Sequence, residues 1–265
     1  MTRQFEYVRS DVTFESGGTP CAARLYRPSD VANPPIVVLA HGFAAFRELR
    51  LDACAARFAE AGYAALVFDY RHWGASAGLP RRILDIGKQQ ADWEAAIEFA
   101  RSIDGVDTTR VVARGSSFGG GHVLRLAARD RRLAAAIVQV PHVSGPASAF
   151  TQNPRAVARL IAAGVYDQIR AWTGRSPYRL AAVGRPGENA MMTSPGAYEL
   201  VERMGDMREE LLAENDVTPI DTARAVARRI PKGEVRTYEC GHFEPYLDPF
   251  FDTVVAVRST SSTAT

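Results

Sequence analysis

The stretch Val111-Val-Ala-Arg-Gly-Ser-Ser-Phe-Gly-Gly-Gly121 decides how the rest of the chain is interpreted. It begins with a β-branched run typical of a buried strand and ends in glycines that flank a serine. In the register Gly115-Ser-Ser-Phe-Gly119 it matches G-x-S-x-G, a sharp strand-to-helix turn that presents a serine at its tip. Ser117 takes that position, because a register centred on Ser116 would need glycine where the chain has arginine. We therefore predict a strand, a strained turn at Ser117 and a helix, with glycine required on both sides because side chains there would collide with the neighbouring elements.

Apolar runs and helical spacings alternate on both sides of this turn. Upstream, an apolar run at residues 35–40 ends in His41-Gly-Phe43, helical spacing follows over residues 49–61, and a second apolar run covers residues 64–68. This alternation predicts an α/β fold with a mainly parallel sheet covered by helices on both faces. The other predicted elements are a β-hairpin over residues 5–27, helices over 85–103 and 220–229, and strands at 110–113, 133–140, 211–213 and 235–239.

The carboxyl ends of parallel strands meet at one edge of a sheet, where ligands bind. We expect His41, Asp69, Ser117 and His142 to gather at that edge, because each follows a predicted strand. The strand and helix rhythm breaks at residues 145–207, where two helical pieces (155–161 and 166–172) and a Gly-Arg-Pro-Gly turn are predicted. The sequence therefore predicts one core formed by residues 1–144 and 208–257, a helical lid insertion at residues 145–207, and a flexible tail at residues 258–265.

The composition of the chain limits the kinds of partner that the protein is expected to bind. The 32 basic and 30 acidic residues are mixed along the chain and leave a net charge of +2, which gives no sustained field for nucleic acid or an anionic membrane. The N-terminus resembles no signal peptide and the apolar runs are too short to span a bilayer, so a cytoplasmic protein is expected. Three widely spaced cysteines indicate neither a disulfide framework nor a metal site. No cofactor is predicted, the expected partner is a small-molecule acyl substrate, and assembly as a homodimer is left open.

A serine hydroxyl needs a general base and an acid that orients this base. His242 is the best base among the five histidines, because it directly follows a late predicted strand in Cys240-Gly-His-Phe. Asp216 stands 26 residues earlier, with one helix and one strand between the two, and is the predicted acid. The alternative for His242 is a histidine of a surface loop.

The other histidines have simpler interpretations. His41 is predicted to be a structural residue of its turn, His122 to pack inside the helix after Ser117, and His72 to lie in a loop that can touch substrate. The predicted oxyanion hole consists of the backbone amides of Phe118, directly after the nucleophile, and Phe43, after the early strand. His142, Trp172 and Met191 are the predicted substrate-binding residues, although such apolar side chains pack lids against cores as often as they bind ligands.

These motifs occur in the order that the α/β-hydrolase superfamily uses. The chain resembles this superfamily in its His41-Gly-Phe, Gly115-Ser-Ser-Phe-Gly-Gly, Glu214-Asn-Asp and Gly241-His-Phe motifs and in the segment Phe68-Asp-Tyr-Arg-His-Trp-Gly-Ala-Ser. Within it the sequence is similar to the branch of dienelactone hydrolases and Xaa-Pro-peptidase-like enzymes, which also includes polyketide acyltransferases. The resemblance implies a serine hydrolase whose triad is Ser117, Asp216 and His242.

Three functions follow as hypotheses. The first is hydrolysis of a carboxylic ester or a related acyl compound through an acyl-enzyme. The second is acyl transfer to an acceptor other than water by the same triad. The third is a non-catalytic binding protein, suggested by the short strand Leu211-Leu-Ala before Asp216.

Overall fold

The computed structural model describes residues 4–43, 45–145, 153–176, 178–193 and 198. The chain divides into two compact units, of which the first comprises Met1–Pro141 with Glu244–Thr265 and the second comprises His142–Phe243. The predicted elements at 211–213, 220–229 and 235–239, together with Asp216 and His242, lie outside the described residues.

The described part of the first unit contains a six-stranded sheet with the order β1-β2-β4-β3-β5-β6. The predicted hairpin is confirmed, since β1 and β2 pair antiparallel, and β2 also runs antiparallel to β4. β3 is parallel to both β4 and β5, and β5 is parallel to β6, so the sheet is mainly parallel as predicted. The strands are β1 (Tyr7–Ser16), β2 (Thr19–Pro28), β3 (Pro35–Ala40), β4 (Ala64–Phe68), β5 (Asp107–Ser116) and β6 (Ala135–Gln139).

Helices cover both faces of this sheet. Because side chains alternate along a strand, Val37 and Leu39 face helix α1 (Leu51–Glu60), whose Phe58 packs in the same buried cluster. On the opposite face, Trp93 of helix α2 (Ile86–Arg101) is fully buried, and its ring lies 5.2 Å from the ring of Phe68 in β4. Helix α3 (Phe118–Arg129) follows β5 directly and buries Val123 and Leu126.

The order in which consecutive strands are added to the sheet reverses at β3. From β3 it moves to β4 on one side, and β5 then lies on the other side of β3. A crevice at such a switch point, outside the carboxyl ends of the two diverging strands, is where open α/β sheets bind ligands. The segment after β3 contains His41-Gly-Phe43 and the turn after β5 contains Ser117, so both motifs lie at this point.

The described part of the second unit consists of helix α4 (Pro154–Trp172) and a parallel pair of short strands, β7 (Ala181–Val183) and β8 (Ala190–Met192). The prediction of two helical pieces is wrong here, because one helix runs through Gly164. A glycine in a helix interior costs only about 1 kcal/mol relative to alanine, so the helix-favouring residues on both sides of Gly164 can continue the helix through it. Asn153 caps the helix by accepting the Arg155 amide (2.9 Å). In the described residues, none of the helices is both long and apolar enough to cross a membrane.

Candidate active site

Ser117 occupies the turn between β5 and α3 in a conformation that few side-chain-bearing residues adopt. Its φ of 52° and ψ of −119° reverse the chain at the N-cap of α3. Two backbone hydrogen bonds hold it there, since its amide donates to the Gln139 carbonyl (2.9 Å) and its carbonyl accepts from the Gly121 amide (3.1 Å). The serine is 6% exposed, at the carboxyl edge of the sheet. The turn predicted from G-x-S-x-G is therefore present.

The glycines of the motif are there for the predicted steric reason. A Cβ at Gly115 would overlap the carbonyl of Gly119, and a Cβ at Gly119 would lie 2.5 Å from the His41 carbonyl oxygen. Both obstacles are backbone atoms, which cannot rotate away as a side chain can. The glycines let β5, α3 and the segment after β3 approach one another at Ser117.

The segment after β3 lies directly against this turn. Gly42 packs so closely that a Cβ on it would lie 3.3 Å from Ser117 Cβ and 3.8 Å from the Phe118 amide nitrogen. The rings of Phe43 and Phe118 also meet, with their centroids 6.0 Å apart. The structure thus brings together Ser117 and the two residues predicted to supply oxyanion donors.

Two buried polar residues lie beside this segment. Asp69, after β4, is fully buried and accepts hydrogen bonds from the amides of Arg47 (2.8 Å) and Ala75 (3.1 Å). Burial raises the pKa of Asp69 to about 6, against the two amides that favour its charged form. His41 is 2% exposed, and burial lowers its pKa to about 4. The lowered pKa keeps the ring neutral at pH 7, and its Nδ1 donates to the Gly42 carbonyl (2.8 Å), which agrees with the predicted structural role in this turn.

His122 packs in the interior of α3 as predicted, and its environment fixes its tautomer. Gln90 Nε2 donates to His122 Nδ1 (2.6 Å), so Nε2 carries the proton and donates to Gln89 Oε1 (2.9 Å). Burial lowers the pKa of His122 to about 4. The ring also packs edge-on against Phe118, at a centroid distance of 5.0 Å. Sequence reasoning missed Gln89 and Gln90, whose signal was two amides on a helix face that also carries buried Trp93.

The remaining predicted site residues comprise one residue of the loop after β4, three residues of the second unit and two that the structure does not describe. His72 is 7% exposed with a φ of 71° in the loop after β4. His142, Trp172 and Met191 belong to the second unit, where Trp172 is 77% exposed and Met191 38% exposed. Asp216 and His242 lie outside the described residues.

Several known proteins are similar to this chain in sequence or in fold. The chain is 38% identical to the quorum-quenching protein AidA of Acinetobacter baumannii over 277 residues, 92% of this chain and 91% of that protein. It is 32% identical to the polyketide transferase ATR5 of Stachybotrys chlorohalonatus, over 68% of this chain and 59% of that protein. The crystal structure of the α/β hydrolase GrgF from a Penicillium species superposes with a TM-score of 0.74 at 23% identity, over 96% of both chains.

A family model also matches the part of the chain that contains the switch point. The model is Hydrolase_4, described as serine aminopeptidase, S33, and it covers residues 33–192, which is more than half of the chain. This match includes β3, the serine turn and α3, the elements that build the geometry described above. The chain therefore belongs to the Hydrolase_4 (serine aminopeptidase, S33) family and is an α/β hydrolase.

Proposed function

We propose that this protein is a serine hydrolase that cleaves a carboxylic ester or a related acyl compound through an acyl-enzyme intermediate. The observation that carries the proposal is the conformation of Ser117, with φ 52° and ψ −119° at the N-terminus of α3. Backbone strain of this kind costs about 1–3 kcal/mol and persists where the surrounding structure enforces it, commonly at active sites. Here it places the hydroxyl at the ligand-binding edge of the sheet.

The proposed reaction uses three side chains. Ser117 Oγ attacks the carbonyl carbon of the substrate while His242 takes the hydroxyl proton and passes it to the leaving alcohol. Asp216 orients the imidazole and stabilises the imidazolium that forms. Water then attacks the acyl-enzyme while His242 takes its proton. His242 gives this proton to Ser117 Oγ as the bond to the acyl group breaks, which releases the acid and restores the serine hydroxyl.

The negative oxygen of each tetrahedral intermediate is proposed to bind between the amides of Phe43 and Phe118. Support comes from the packing of Gly42, which sets the segment after β3 against both Ser117 and the Phe118 amide. The Phe118 amide is at the N-terminus of α3, where the amides lack helical partners and the helix dipole favours negative charge. Losing one oxyanion donor typically costs about 3 kcal/mol of barrier stabilisation.

The proposed substrate is a small acyl compound with an apolar portion, for which we assign His142, Trp172 and Met191 as contact residues. Trp172 and Met191 offer apolar surface to solvent in the second unit. Apolar side chains of this kind line the binding sites of acyl and alkyl groups.

Acyl transfer to an alcohol or amine is a second candidate, favoured by the similarity to a protein named polyketide transferase. It would use the same triad and differ only in the acceptor that enters after the acyl-enzyme forms. Adding alcohols or amines at constant ester concentration distinguishes the two. New ester or amide products at the expense of free acid support transfer, whereas unchanged acid release supports hydrolysis.

Replacement of Ser117 tests the proposal. Ser117→Ala should lower the turnover of short p-nitrophenyl esters by at least about a thousandfold and abolish labelling by a fluorophosphonate, because both need the nucleophile. The matched control is Ser116→Ala, which removes a neighbouring buried hydroxyl and should leave labelling intact. Activity that survives in Ser117→Ala would overturn the assignment. A wild-type protein that is inert to the fluorophosphonate yet binds apolar ligands would favour the non-catalytic alternative.

A further inference from the structure

Two consecutive residues of the loop after β4 hold both ends of residues 41–47, the segment that follows β3. At its beginning, the hydroxyl of Tyr70 donates to the His41 carbonyl oxygen (3.3 Å). At its end, the Arg47 amide donates to Asp69 Oδ1 (2.8 Å). Between these two attachments lies Phe43, whose amide is the second proposed oxyanion donor.

Each of the two holding side chains is itself fixed. Asp69 is fully buried, and its second carboxylate oxygen accepts the Ala75 amide (3.1 Å). Its own backbone is tied down as well, since its carbonyl accepts the Ser76 hydroxyl (2.7 Å). Tyr70 is 1% exposed, and its hydroxyl accepts a hydrogen bond from Trp93 Nε1 (2.9 Å) of α2. The two ends of this segment, at His41 and Arg47, are therefore attached to side chains that are buried in the core.

The space around the Asp69 carboxylate is closely fitted. Gly74 adopts a φ of +48°, and a Cβ on it would overlap this carboxylate. The guanidinium of Arg47 also lies close, with Nε 3.5 Å from Asp69 Oδ2. The carboxylate therefore has little room to move from the position in which it accepts the Arg47 amide of the segment after β3 and the Ala75 amide of the loop after β4.

We propose that Asp69 and Tyr70 are positioning residues of the oxyanion hole. By fixing both ends of residues 41–47 they place the Phe43 amide where the negative oxygen develops. This inference rests on the proposed function, because it concerns the geometry of the same site. It assigns no contact between either side chain and the substrate.

Asp92 provides the matched control for Asp69. It is also a fully buried carboxylate, and it accepts hydrogen bonds from the amide (3.1 Å) and Nε (2.6 Å) of Arg71. Its described contacts do not include residues 41–47. Because Arg71 directly follows Tyr70, loss of the Asp92 charge disturbs the loop after β4 but leaves the Asp69 carboxylate and the Tyr70 hydroxyl in place. It should therefore weaken the fold without releasing either end of the segment after β3.

The first experiment compares Asp69→Asn with Asp92→Asn on a p-nitrophenyl ester, with rates divided by the number of sites that a fluorophosphonate titrates. An amide has one accepting oxygen, so in Asp69→Asn either the Arg47 or the Ala75 amide faces an NH₂ group. We expect kcat to fall about tenfold to a hundredfold with KM nearly unchanged, because the displaced donor acts in the transition state. Asp92→Asn should retain wild-type kcat per titrated site.

Binding of a trifluoromethyl ketone analogue of the ester provides a readout that general loosening would not move. This ketone forms a tetrahedral adduct with an oxyanion, so its inhibition constant should rise by the same factor by which kcat/KM falls. The affinity for the corresponding ether, which is neutral and has no carbonyl oxygen for the oxyanion donors, should stay within about twofold. General loosening of the fold would weaken both ligands, so this selective pattern reports on the groups that hold the tetrahedral adduct, and complete titration by the fluorophosphonate shows that Ser117 itself still reacts.

Two further variants keep the inference falsifiable if Asp69→Asn does not fold. Tyr70→Phe removes the attachment at the start of the segment and should give the same loss of kcat and the same weakened ketone binding. Gly74→Ala displaces the carboxylate without removing it, and its control is Gly18→Ala, where φ is +71° but nothing lies within 4 Å of the added Cβ. Gly74→Ala should lower kcat per site, and Gly18→Ala should not.

The outcomes separate the inference from the proposed function. If Ser117 is required but Asp69→Asn and Tyr70→Phe keep wild-type kcat per site, or raise KM instead, the inference is wrong. If labelling survives in Ser117→Ala, the proposed function fails and the inference falls with it.

Discussion

At the scale of single residues, the site depends on backbone approach more than on side-chain contacts. Ser117 is held in its unusual conformation by hydrogen bonds to Gln139 and Gly121, while Gly115 and Gly119 remove the Cβ atoms that would separate the three elements. Gly42 completes the arrangement from the side of β3. Its φ is not in the left-handed region, so glycine is required at this position for space alone.

Gly42→Ala tests whether that space matters for the chemistry. The new Cβ would lie 3.2 Å from the Ser116 carbonyl oxygen and 3.3 Å from Ser117 Cβ, so the segment after β3 must move by a few tenths of an ångström. We expect kcat for a p-nitrophenyl ester to fall by about tenfold, because the Phe43 amide shifts with the segment, and the free energy of unfolding to fall by only about 1 kcal/mol. Steady-state kinetics and urea denaturation measure the two effects.

The control for Gly42→Ala is Gly145→Ala, where nothing lies within 4 Å of the added Cβ. It should leave both quantities unchanged. A Gly42→Ala protein with wild-type kcat would contradict the placement of the oxyanion donor in this segment.

At the scale of elements, the sequence predicted the sheet well because buried strands have a strong local signal. The apolar runs at residues 35–40 and 64–68 coincide with β3 and β4. The strand before Ser117 is longer than predicted, because β5 begins at Asp107 with polar residues at the end of the sheet that carry no apolar pattern. Sequence periodicity also cannot reveal β7 and β8, whose three residues each are too few for a pattern.

The sequence predicted those parts of the site that a local motif identifies, and it did not predict contacts between segments that are distant in the chain. Ser117 was found from glycine spacing, whereas the attachment of Arg47 to Asp69 depends on two loops that are 22 positions apart in the chain. No local pattern specifies such a pairing, because it is created by the order of strands in the sheet. The roles of Asp216 and His242 stay predictions, since both residues lie outside the described ones.

Two glycines within helices, Gly119 in the first turn of α3 and Gly164 in the interior of α4, should respond to alanine in opposite directions. Gly119 in α3 would meet the His41 carbonyl oxygen at 2.5 Å, whereas Gly164 in α4 has nothing within 4 Å. Gly164→Ala should therefore stabilise the fold by up to about 1 kcal/mol, the difference in helix propensity. Gly119→Ala should destabilise it by about 1–3 kcal/mol through overpacking against backbone. Urea denaturation followed by circular dichroism measures both, and effects of the same sign would contradict this contrast.

At the scale of the whole molecule, stability in acid is set by buried groups whose charges cost solvation. Burial lowers the pKa of His41 and His122 from 6.5 to about 4, so between these values the unfolded chain binds protons that the folded chain does not. The stability associated with each is complete above pH 6.5 and is lost as the pH falls towards 4. Burial raises the pKa of Asp69 from 3.8 to about 6, which acts in the opposite sense, because the folded protein then binds the proton first. Among the described residues, burial also lowers the pKa of His72, so the losses at the histidines outweigh the one gain and these groups should destabilise the protein in mild acid.

The contribution of His122 to this pH dependence of the unfolding free energy can be isolated by substitution. In His122→Gln the glutamine cannot titrate, and Asp69 and the unfolded chain's other groups remain as they are. The pKa of His41 stays lowered by burial and loses only the lowering that His122 adds. The wild type should lose roughly 2 to 3 kcal/mol more unfolding free energy than the variant between pH 6.5 and pH 4, the linkage expected from a shift of this size in a 4% exposed side chain. Urea denaturation at half-unit pH steps measures the difference, and from pH 7 to 8 the two stability curves should run parallel. Curves that stay parallel down to pH 4 would mean that His122 accepts a proton in the folded state as readily as in the unfolded one, which the hydrogen bond that its Nδ1 accepts from Gln90 opposes.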